Sequence, residues 1–463
     1  MTDTTAAPET FDIVILGGGS GGYACALRAV QLGKTVALVE KDLLGGTCLH
    51  RGCIPTKAFL HAAEIADNAR ESERFGVRAS FDSIDMPGVL AYKDGVVGRL
   101  HKGLQGLVKS GGITYVQGEG RVVARDTVEV EGRRLQGSHL VLATGSTSKS
   151  LPGLEIGGRI VTSEQALALE TVPARVVVLG GGVIGCEFAS VYRSFGSEVT
   201  IIEALPRLVA LEDEAISTAL ARAFKKRKIV AKTGVRFQSA TQSDDAVTVT
   251  LESGESIEAD LLLVAVGRGP VTAGLGFEEI GVEMDRGFVL TDERCRTDVE
   301  GVHAVGDIVP GLQLAHRGFA QGILVAEDIA GLPVHPLVES GIPRVTYSDP
   351  EIASVGLTEA TAKEQFGADA VESIEFNLGG NGKSQMLATA GFVKVIRRKD
   401  GPVIGIHMIG ARMGEQVGEA QLIVGWEALP EEVAQFLHAH PTQNESLGEA
   451  HMALAGRPLH AHS

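Results

Sequence analysis

One pattern of apolar and polar positions occurs twice along the chain. In the first copy, Phe11-Asp12-Ile13-Val14-Ile15-Leu16 is an apolar, β-branched run that predicts a buried strand. It leads into Gly17-Gly18-Gly19-Ser20-Gly21-Gly22 and a helical segment over residues 23–32. Gly33 closes that helix, and a second strand over 35–39 ends at Glu40. In the second copy, Arg175-Val176-Val177-Val178-Leu179 leads into Gly180-Gly181-Gly182-Val183-Ile184-Gly185. A helix through Phe195, then Gly196 and a strand over 198–202 ending at Glu203, complete it. Both acids lie 23 positions past the first glycine (17 to 40, 180 to 203).

Each part of this unit has a physical task. Gly17 and Gly180 permit a tight turn, Gly19 and Gly182 let backbone approach a pyrophosphate, and Gly22 and Gly185 let the helix pack on the strand. The helix N-terminus faces the phosphates, and Glu40 and Glu203 stand where a carboxylate holds ribose hydroxyls. Two units imply two dinucleotides bound at once. Glu203 would accept a bond from a free 2′-hydroxyl and repel a 2′-phosphate, so NAD is expected over NADP.

Shorter apolar strands follow each unit. One runs over 140–146 and contains Thr144 and Gly145; the other runs over 261–266 and ends in Gly267-Arg268. Val302-His303-Ala304-Val305-Gly306-Asp307 is a further strand whose C-terminal carboxylate suits a cofactor crevice. Lys225-Lys226-Arg227-Lys228 reads as a solvated helix end. Beyond about residue 341 the texture changes. Strand-like pieces (344–347, 391–396, 403–408) alternate with helical ones (358–366, 414–429, 431–437), without a third glycine fingerprint. The expected fold is α/β, with two Rossmann-like dinucleotide-binding domains and a C-terminal α+β domain. The expected division is 1–150, 151–270, 271–341 (completing the first domain) and 342–463.

Composition narrows the function classes. The length of 463 residues suits about three domains. A net charge of −16 argues against nucleic-acid binding, which needs a basic footprint. No run approaches the ~18 apolar residues of a membrane helix. The first ten residues are polar, do not resemble a signal peptide and read as a disordered lead-in. Five cysteines, three of them (Cys25, Cys186, Cys295) scattered in apolar surroundings, suit a reducing compartment, and the cytoplasm is expected.

The remaining pair, Cys48 and Cys53, lies in Gly45-Gly46-Thr47-Cys48-Leu49-His50-Arg51-Gly52-Cys53-Ile54-Pro55-Thr56-Lys57. In an ideal helix, Cα atoms five positions apart are about 8.7 Å apart, whereas a disulfide needs about 4.4–6.8 Å. If the two bond, the backbone must bend between them, and Gly52 can allow it. Such a small, strained loop would add little stability and be easy to reduce. The spacing does not match a zinc knuckle and no second Cys/His pair accompanies it, so no metal is expected. At the other end of the chain, His440-Pro441-Thr442-Gln443-Asn444-Glu445 places an imidazole near a carboxylate that could orient it as an acid–base, or simply pair with it at the surface.

Taken together, residues 45–57, both fingerprints, Ala143-Thr144-Gly145, Ala304-Val305-Gly306-Asp307 and the His440 tail resemble the pyridine nucleotide–disulfide oxidoreductases nearly end to end. Within that family the chain looks most like members that oxidise protein-bound dihydrolipoamide to lipoamide and reduce NAD+ to NADH. The resemblance implies a Cys48–Cys53 redox disulfide, with Cys53 against a tightly but non-covalently bound FAD and Cys48 exchanging with substrate. Gly17, Gly19, Gly22, Glu40, Lys57, Thr144, Gly145, Asp307 and Ala315 would hold FAD. Gly180, Gly182, Gly185, Glu187, Glu203 and Gly267 would hold NAD+/NADH. His440, oriented by Glu445, would serve the cysteines of the other subunit, so the active site would be shared in a homodimer. The implied partner is the lipoyl-bearing protein of a 2-oxoacid dehydrogenase or glycine cleavage complex.

The chain departs from the family pattern at three places. His50-Arg51 replaces the more usual Asn-Val, leaving a lowered thiol pKa or a solvent-facing pair as alternatives. Leu314-Ala315-His316-Arg317-Gly318-Phe319-Ala320-Gln321-Gly322 stands where relatives usually carry acidic residues, and Gln443-Asn444 replaces Leu-Ser. Competing readings are an NAD(P)H-dependent reductase of another disulfide, of glutathione, mycothiol or mercuric type, and a flavin-dependent redox sensor.

Overall fold

The computed structural model describes residues 7–460. They form two compact units, one of residues 7–58, 87–149 and 268–339, the other of 59–86, 150–267 and 340–460.

In the first unit, strand Glu9–Leu16 has Ile13, Val14 and Ile15 fully buried, as expected of a strand covered on both faces. It pairs in parallel with Val36–Glu40 on one side and Arg133–Leu142 on the other. Thr114–Gln117 extends one edge in parallel. On the other side, Arg133–Leu142 turns back into the antiparallel strands Thr127–Val130 and Gly120–Ala124, and also receives Val302–Ala304 in parallel. The first fingerprint's helix is Ser20–Gln31.

The second unit repeats the arrangement. Five parallel strands run in the order Ile229–Thr233, Glu198–Glu203, Arg175–Leu179, Leu261–Val264, Ile160–Thr162, with helix Val183–Phe195 after the fingerprint. Its C-terminal part is an antiparallel sheet, Arg344–Thr346, Glu351–Gly356, Val403–Gly410, Phe392–Arg398, Val371–Asn377. One core of this part joins Val355, Val393, Ile406 and Met408 of the strands to Ala420 and Ile423 of helix Val417–Gly425. Leu447 and Ala450 of helix Glu445–Leu454 belong to the same core.

Several expectations need correcting. Glu9 and Thr10 are not part of a disordered lead-in. They open the first strand opposite Leu135 and Gln136, and Glu9 pairs with Arg133 at 2.9 Å; residues 1–6 lie outside the described region. The 25-residue helix Met86–Ser110 leaves no clear pattern in the sequence, because glycines at 88, 95, 98, 103 and 106 blur its period and lower helix propensity. Glu351–Gly356 and Val371–Asn377 are two further strands of the C-terminal sheet, beyond those expected. The helical stretch expected over 414–429 is a 3-10 turn, Gly414–Gln416, followed by Val417–Gly425, and that over 431–437 contracts to Pro430–Val433.

Candidate active site

The two fingerprints fold almost identically. Gly17 and Gly180 have φ of +111° and +112°, a region that costs a side-chain-bearing residue dearly. At Gly22 a Cβ would lie 1.8 Å from the Gly17 carbonyl oxygen, and at Gly185 it would lie 1.9 Å from that of Gly180. Helix and turn therefore touch backbone to backbone. Gly19 and Gly182 cap the two helices without a side-chain hydrogen bond, and neither first turn holds an acid. Those N–H groups are left for an outside anion, which fits a dinucleotide phosphate.

The two acids are equally matched. Glu40 accepts the Gly18 N–H at 2.7 Å and the Asp42 N–H at 2.8 Å. Glu203 accepts the Gly181 N–H at 2.6 Å and the Leu205 N–H at 2.7 Å. Each carboxylate is thereby fixed while keeping lone pairs for ribose hydroxyls. Glu187 is buried and accepts the Tyr347 N–H at 3.0 Å, and Gly267 sits at φ +106° with open space where a Cβ would be.

In the first unit the cysteine segment is built onto the fingerprint loop. The Gly45 N–H donates to the Gly18 oxygen at 2.9 Å, and a Cβ on Gly46 would lie 2.8 Å from Gly19 Cα. The backbone breaks between the cysteines. Helix Gly46–His50 ends, Arg51 and Gly52 intervene, and helix Cys53–Arg70 begins. Gly52 contributes space rather than an unusual φ, since its Cβ would crowd the Thr47 carbonyl at 3.2 Å.

Both residues of the pair are thiols here, Cys48 half-buried and Cys53 exposed. Contact with Cys53, then burial, pushes the Cys48 thiol far above its ordinary range, with Asp307 adding to the rise and Lys57 opposing it. Lys57 is half-buried one turn after Cys53 on the same helix. The residues between the cysteines are both engaged: the His50 ring bonds the Leu44 carbonyl oxygen through Nε2 at 2.9 Å and meets His101 edge-on, and Arg51 pairs with Asp42.

Asp307, on a 3-10 turn, accepts the Ser146 hydroxyl at 2.5 Å. Arg268 donates to the Ser146 hydroxyl at 2.7 Å and carbonyl at 2.6 Å, and reaches Thr47 Oγ1, next to Cys48, at 3.5 Å. Sequence reasoning did not single out Ser146 and Arg268 as site residues; the signal was their position beside the two glycine turns. Thr144 donates to the Val271 oxygen at 2.5 Å, Gly145 has φ +75°, and Ala315 opens helix Ala315–Ile329.

In the second unit, His440 is exposed and its Nδ1 bonds Glu445 Oε1 at 2.7 Å, while Glu445 Oε2 accepts the Thr442 N–H at 2.7 Å. Burial raises the Glu445 carboxyl, but the Thr442 N–H and His440 more than offset it and leave it below the usual carboxylate range. The substituted Gln443 and Asn444 are tied in as well. Gln443 accepts the Ser384 hydroxyl at 2.6 Å and donates to the Ala411 oxygen at 2.7 Å, and Asn444 donates to Glu419 at 2.6 Å.

Cys25 and Cys295 are buried, and burial pushes each thiol up to about 12; Cys186 is buried and raised further for the same reason. Such thiols are inert. Among the described residues no group of three His, Cys, Asp or Glu side chains is placed to hold a metal ion, and no helix is long and apolar enough to cross a membrane.

The chain matches the family model described as pyridine nucleotide-disulphide oxidoreductase over residues 11–322, and that family's dimerisation-domain model over 342–451. It is 39% identical to a dihydrolipoyl dehydrogenase of Bacillus subtilis, over 97% of this chain and 99% of that one. It is 38% identical to a leghemoglobin reductase of Glycine max, over 97% of this chain and 88% of that one. The crystal structure of LpdA from Mycobacterium tuberculosis superposes with a TM-score of 0.89 at 27% identity, over 96% of this chain and 99% of that one.

Proposed function

The chain belongs to the pyridine nucleotide-disulphide oxidoreductase family, and from that premise we propose that it oxidises protein-bound dihydrolipoamide and reduces NAD+. Its class is that of a flavoprotein disulfide oxidoreductase using FAD and NAD(H), and the dimerisation domain supports a homodimer. The division into 1–150 with 271–341 for FAD, 151–270 for NAD and 342–463 for the subunit interface is part of this reading. So are a cytoplasmic location, an active site shared between subunits, and a partner bearing a lipoyl group.

In the oxidised enzyme the bridge joins Cys48 and Cys53. A substrate thiol gives its proton to His440 Nε2 and attacks Cys48 as thiolate, because thiolate rather than thiol is the nucleophile. The Cys48–Cys53 bond breaks, a mixed disulfide forms, and Cys53 leaves as thiolate. The second substrate thiol then displaces Cys48, its proton passing to the departing Cys48 sulfur, so lipoamide departs oxidised and the pair is left as the Cys48 thiol and the Cys53 thiolate beside protonated His440. Glu445 holds the Nδ1–H tautomer of His440 and stabilises the imidazolium. Gly17, Gly19, Gly22, Glu40, Lys57, Thr144, Gly145, Asp307 and Ala315 would hold FAD. Gly180, Gly182, Gly185, Glu187, Glu203 and Gly267 would hold NAD. Bound FAD supplies the two-electron chemistry between the dithiol and the nicotinamide.

The observation that carries this reading is the Cys48–Cys53 thiol pair at a helix break seated on the first fingerprint. The test is a screen of lipoamide, glutathione disulfide and other disulfides, each with NADH and NADPH. Rapid turnover with lipoamide and NADH is expected. Preference for another disulfide or for NADPH, or a bridge reduced only stoichiometrically, would refute it.

A further inference from the structure

We propose that Glu419 and His438 form a second carboxylate–imidazole pair that positions the first, gripping the helix that carries Glu445 so that His440 keeps its orientation; this rests on the reading of His440 as the acid–base. Glu419 lies on helix Val417–Gly425. Its Oε1 takes His438 Nε2 at 2.8 Å and its Oε2 takes the Asn444 side-chain N–H at 2.6 Å. Its two oxygens thus bind residues on either side of His440, two positions before it and four after.

Both partners act on the same helix. Asn444 is the N-cap of Glu445–Leu454 and the immediate neighbour of Glu445. One turn on, a Cβ added to Gly448 would lie 2.5 Å from His438 Nδ1, so the ring rests directly on helix backbone. The first turn is held at two points from one anchor, and Glu445 leaves that turn toward His440 Nδ1 at 2.7 Å.

The charges around the pair agree with this. Burial raises the Glu419 carboxyl, but its bonds to His438 and Asn444 bring it below the ordinary range. His451, fully buried on the same C-terminal helix, donates from Nδ1 to the Leu447 oxygen at 2.7 Å and has no partner at Nε2 among the described residues. Burial holds its pKa down at about 4. The titratable groups gathered here are Glu419 from its helix, His438 and His440 from the connecting segment, and Glu445 and His451 from the C-terminal helix.

The test uses full-length, FAD-loaded enzyme carrying Glu419→Gln, His438→Ala or His438→Gln, with His440→Gln in parallel. Loss of positioning lowers kcat for lipoamide-dependent turnover about 10–100-fold. KM for lipoamide stays within about twofold, and the pH profile of kcat moves. Flavin content and the NADH–ferricyanide rate, which needs no thiol exchange, stay as in the unmodified enzyme. His438→Gln, whose side-chain amide can still donate to Glu419, restores most of the rate lost in His438→Ala. Unchanged kcat and pH profile in Glu419→Gln and His438→Ala would overturn the proposal. So would a parallel fall of both activities with loss of flavin, or failure of His438→Gln to rescue. Full turnover in His440→Gln would instead overturn the reading on which it rests.

Discussion

Replacing Glu445 with Gln is an almost isosteric change with a defined consequence. Glu445 now accepts from the Thr442 N–H through one oxygen and faces His440 Nδ1 with the other, both at 2.7 Å. A Gln keeps its carbonyl oxygen for the Thr442 N–H, because turning the amide round would oppose two donors. Its NH2 then points at His440 Nδ1 and makes that nitrogen an acceptor. The proton moves to Nε2, the atom that in the proposed mechanism must be unprotonated to take a proton from the substrate. The base is therefore present in the wrong tautomer and without its stabilising anion. General acid–base catalysis is worth about 10²–10⁴-fold, or about 2.7–5.5 kcal/mol at the transition state, and most of it should vanish from lipoamide turnover. Loss of an acid from the first turn of helix Glu445–Leu454 costs only about 0.3–1 kcal/mol of stability. The assay is steady-state NADH formation from dihydrolipoamide between about pH 6 and 9, with NADH–ferricyanide activity as the control. A Glu445→Gln enzyme that keeps turnover within about fivefold of the unmodified protein would refute the tautomer argument.

Other sites give independent tests. Cys48→Ala should keep a long-wavelength thiolate-to-flavin absorbance band but lose turnover, whereas Cys53→Ala should lose both; a band in the Cys53 variant would reverse their roles. Glu203 should make NADH the preferred coenzyme, and Glu203→Gln should narrow that preference about 10–100-fold by removing like-charge repulsion, as read from kcat/KM with NADH and NADPH. Gly185→Ala puts a methyl 1.9 Å from the Gly180 oxygen; dihydrolipoamide should still reduce the flavin anaerobically, while transfer to NAD+ fails. Buried His303 and His451 both have pKa held at about 4 by burial against an ordinary 6.5. The unfolded chain binds the extra protons between these values, so stability is fully present above about pH 6.5 and declines toward pH 4, by up to about 3 kcal/mol per histidine. Urea midpoints at about pH 7 and 4.5 measure this, and His451→Gln should flatten the slope.

Much of this was legible in the chain because it rests on backbone constraints that only certain residues satisfy. Gly17, Gly22, Gly180 and Gly185 announce a turn and a contact that a Cβ would forbid, and the structure has both. The cysteine spacing calls for a break in the helix if the two are to bond, and a break lies at Arg51 and Gly52. What stayed hidden depends on distant partners. Ser146 and Arg268 become a relay beside Asp307 only once two glycine turns far apart in sequence form paired strands. The Gln443 and Asn444 departures from the family pattern give no hint in the sequence of their partners, because Ser384, Ala411 and Glu419 come from three other places in the fold. For His50 and Arg51 the structure adds their partners: the His50 ring bonds the Leu44 carbonyl, Arg51 pairs with Asp42, and Lys57 opposes the rise of the Cys48 thiol.

The tethering of His50 to the Leu44 carbonyl and of Arg51 to Asp42 has a consequence for the proposed cycle of Cys48 and Cys53. The segment joining the two sulfurs is held to the wall of the fold, so breaking the bond between them does not release it. The reduced sulfurs remain neighbours, as the thiol contact between Cys48 and Cys53 records. Each therefore meets the other at an effective concentration far above that of any free thiol, of the kind well-oriented intramolecular pairs reach. Re-forming the bond needs no conformational search, and cellular thiols in the surrounding solution compete poorly for the half-open state. The tether keeps a reactive pair private between turnovers.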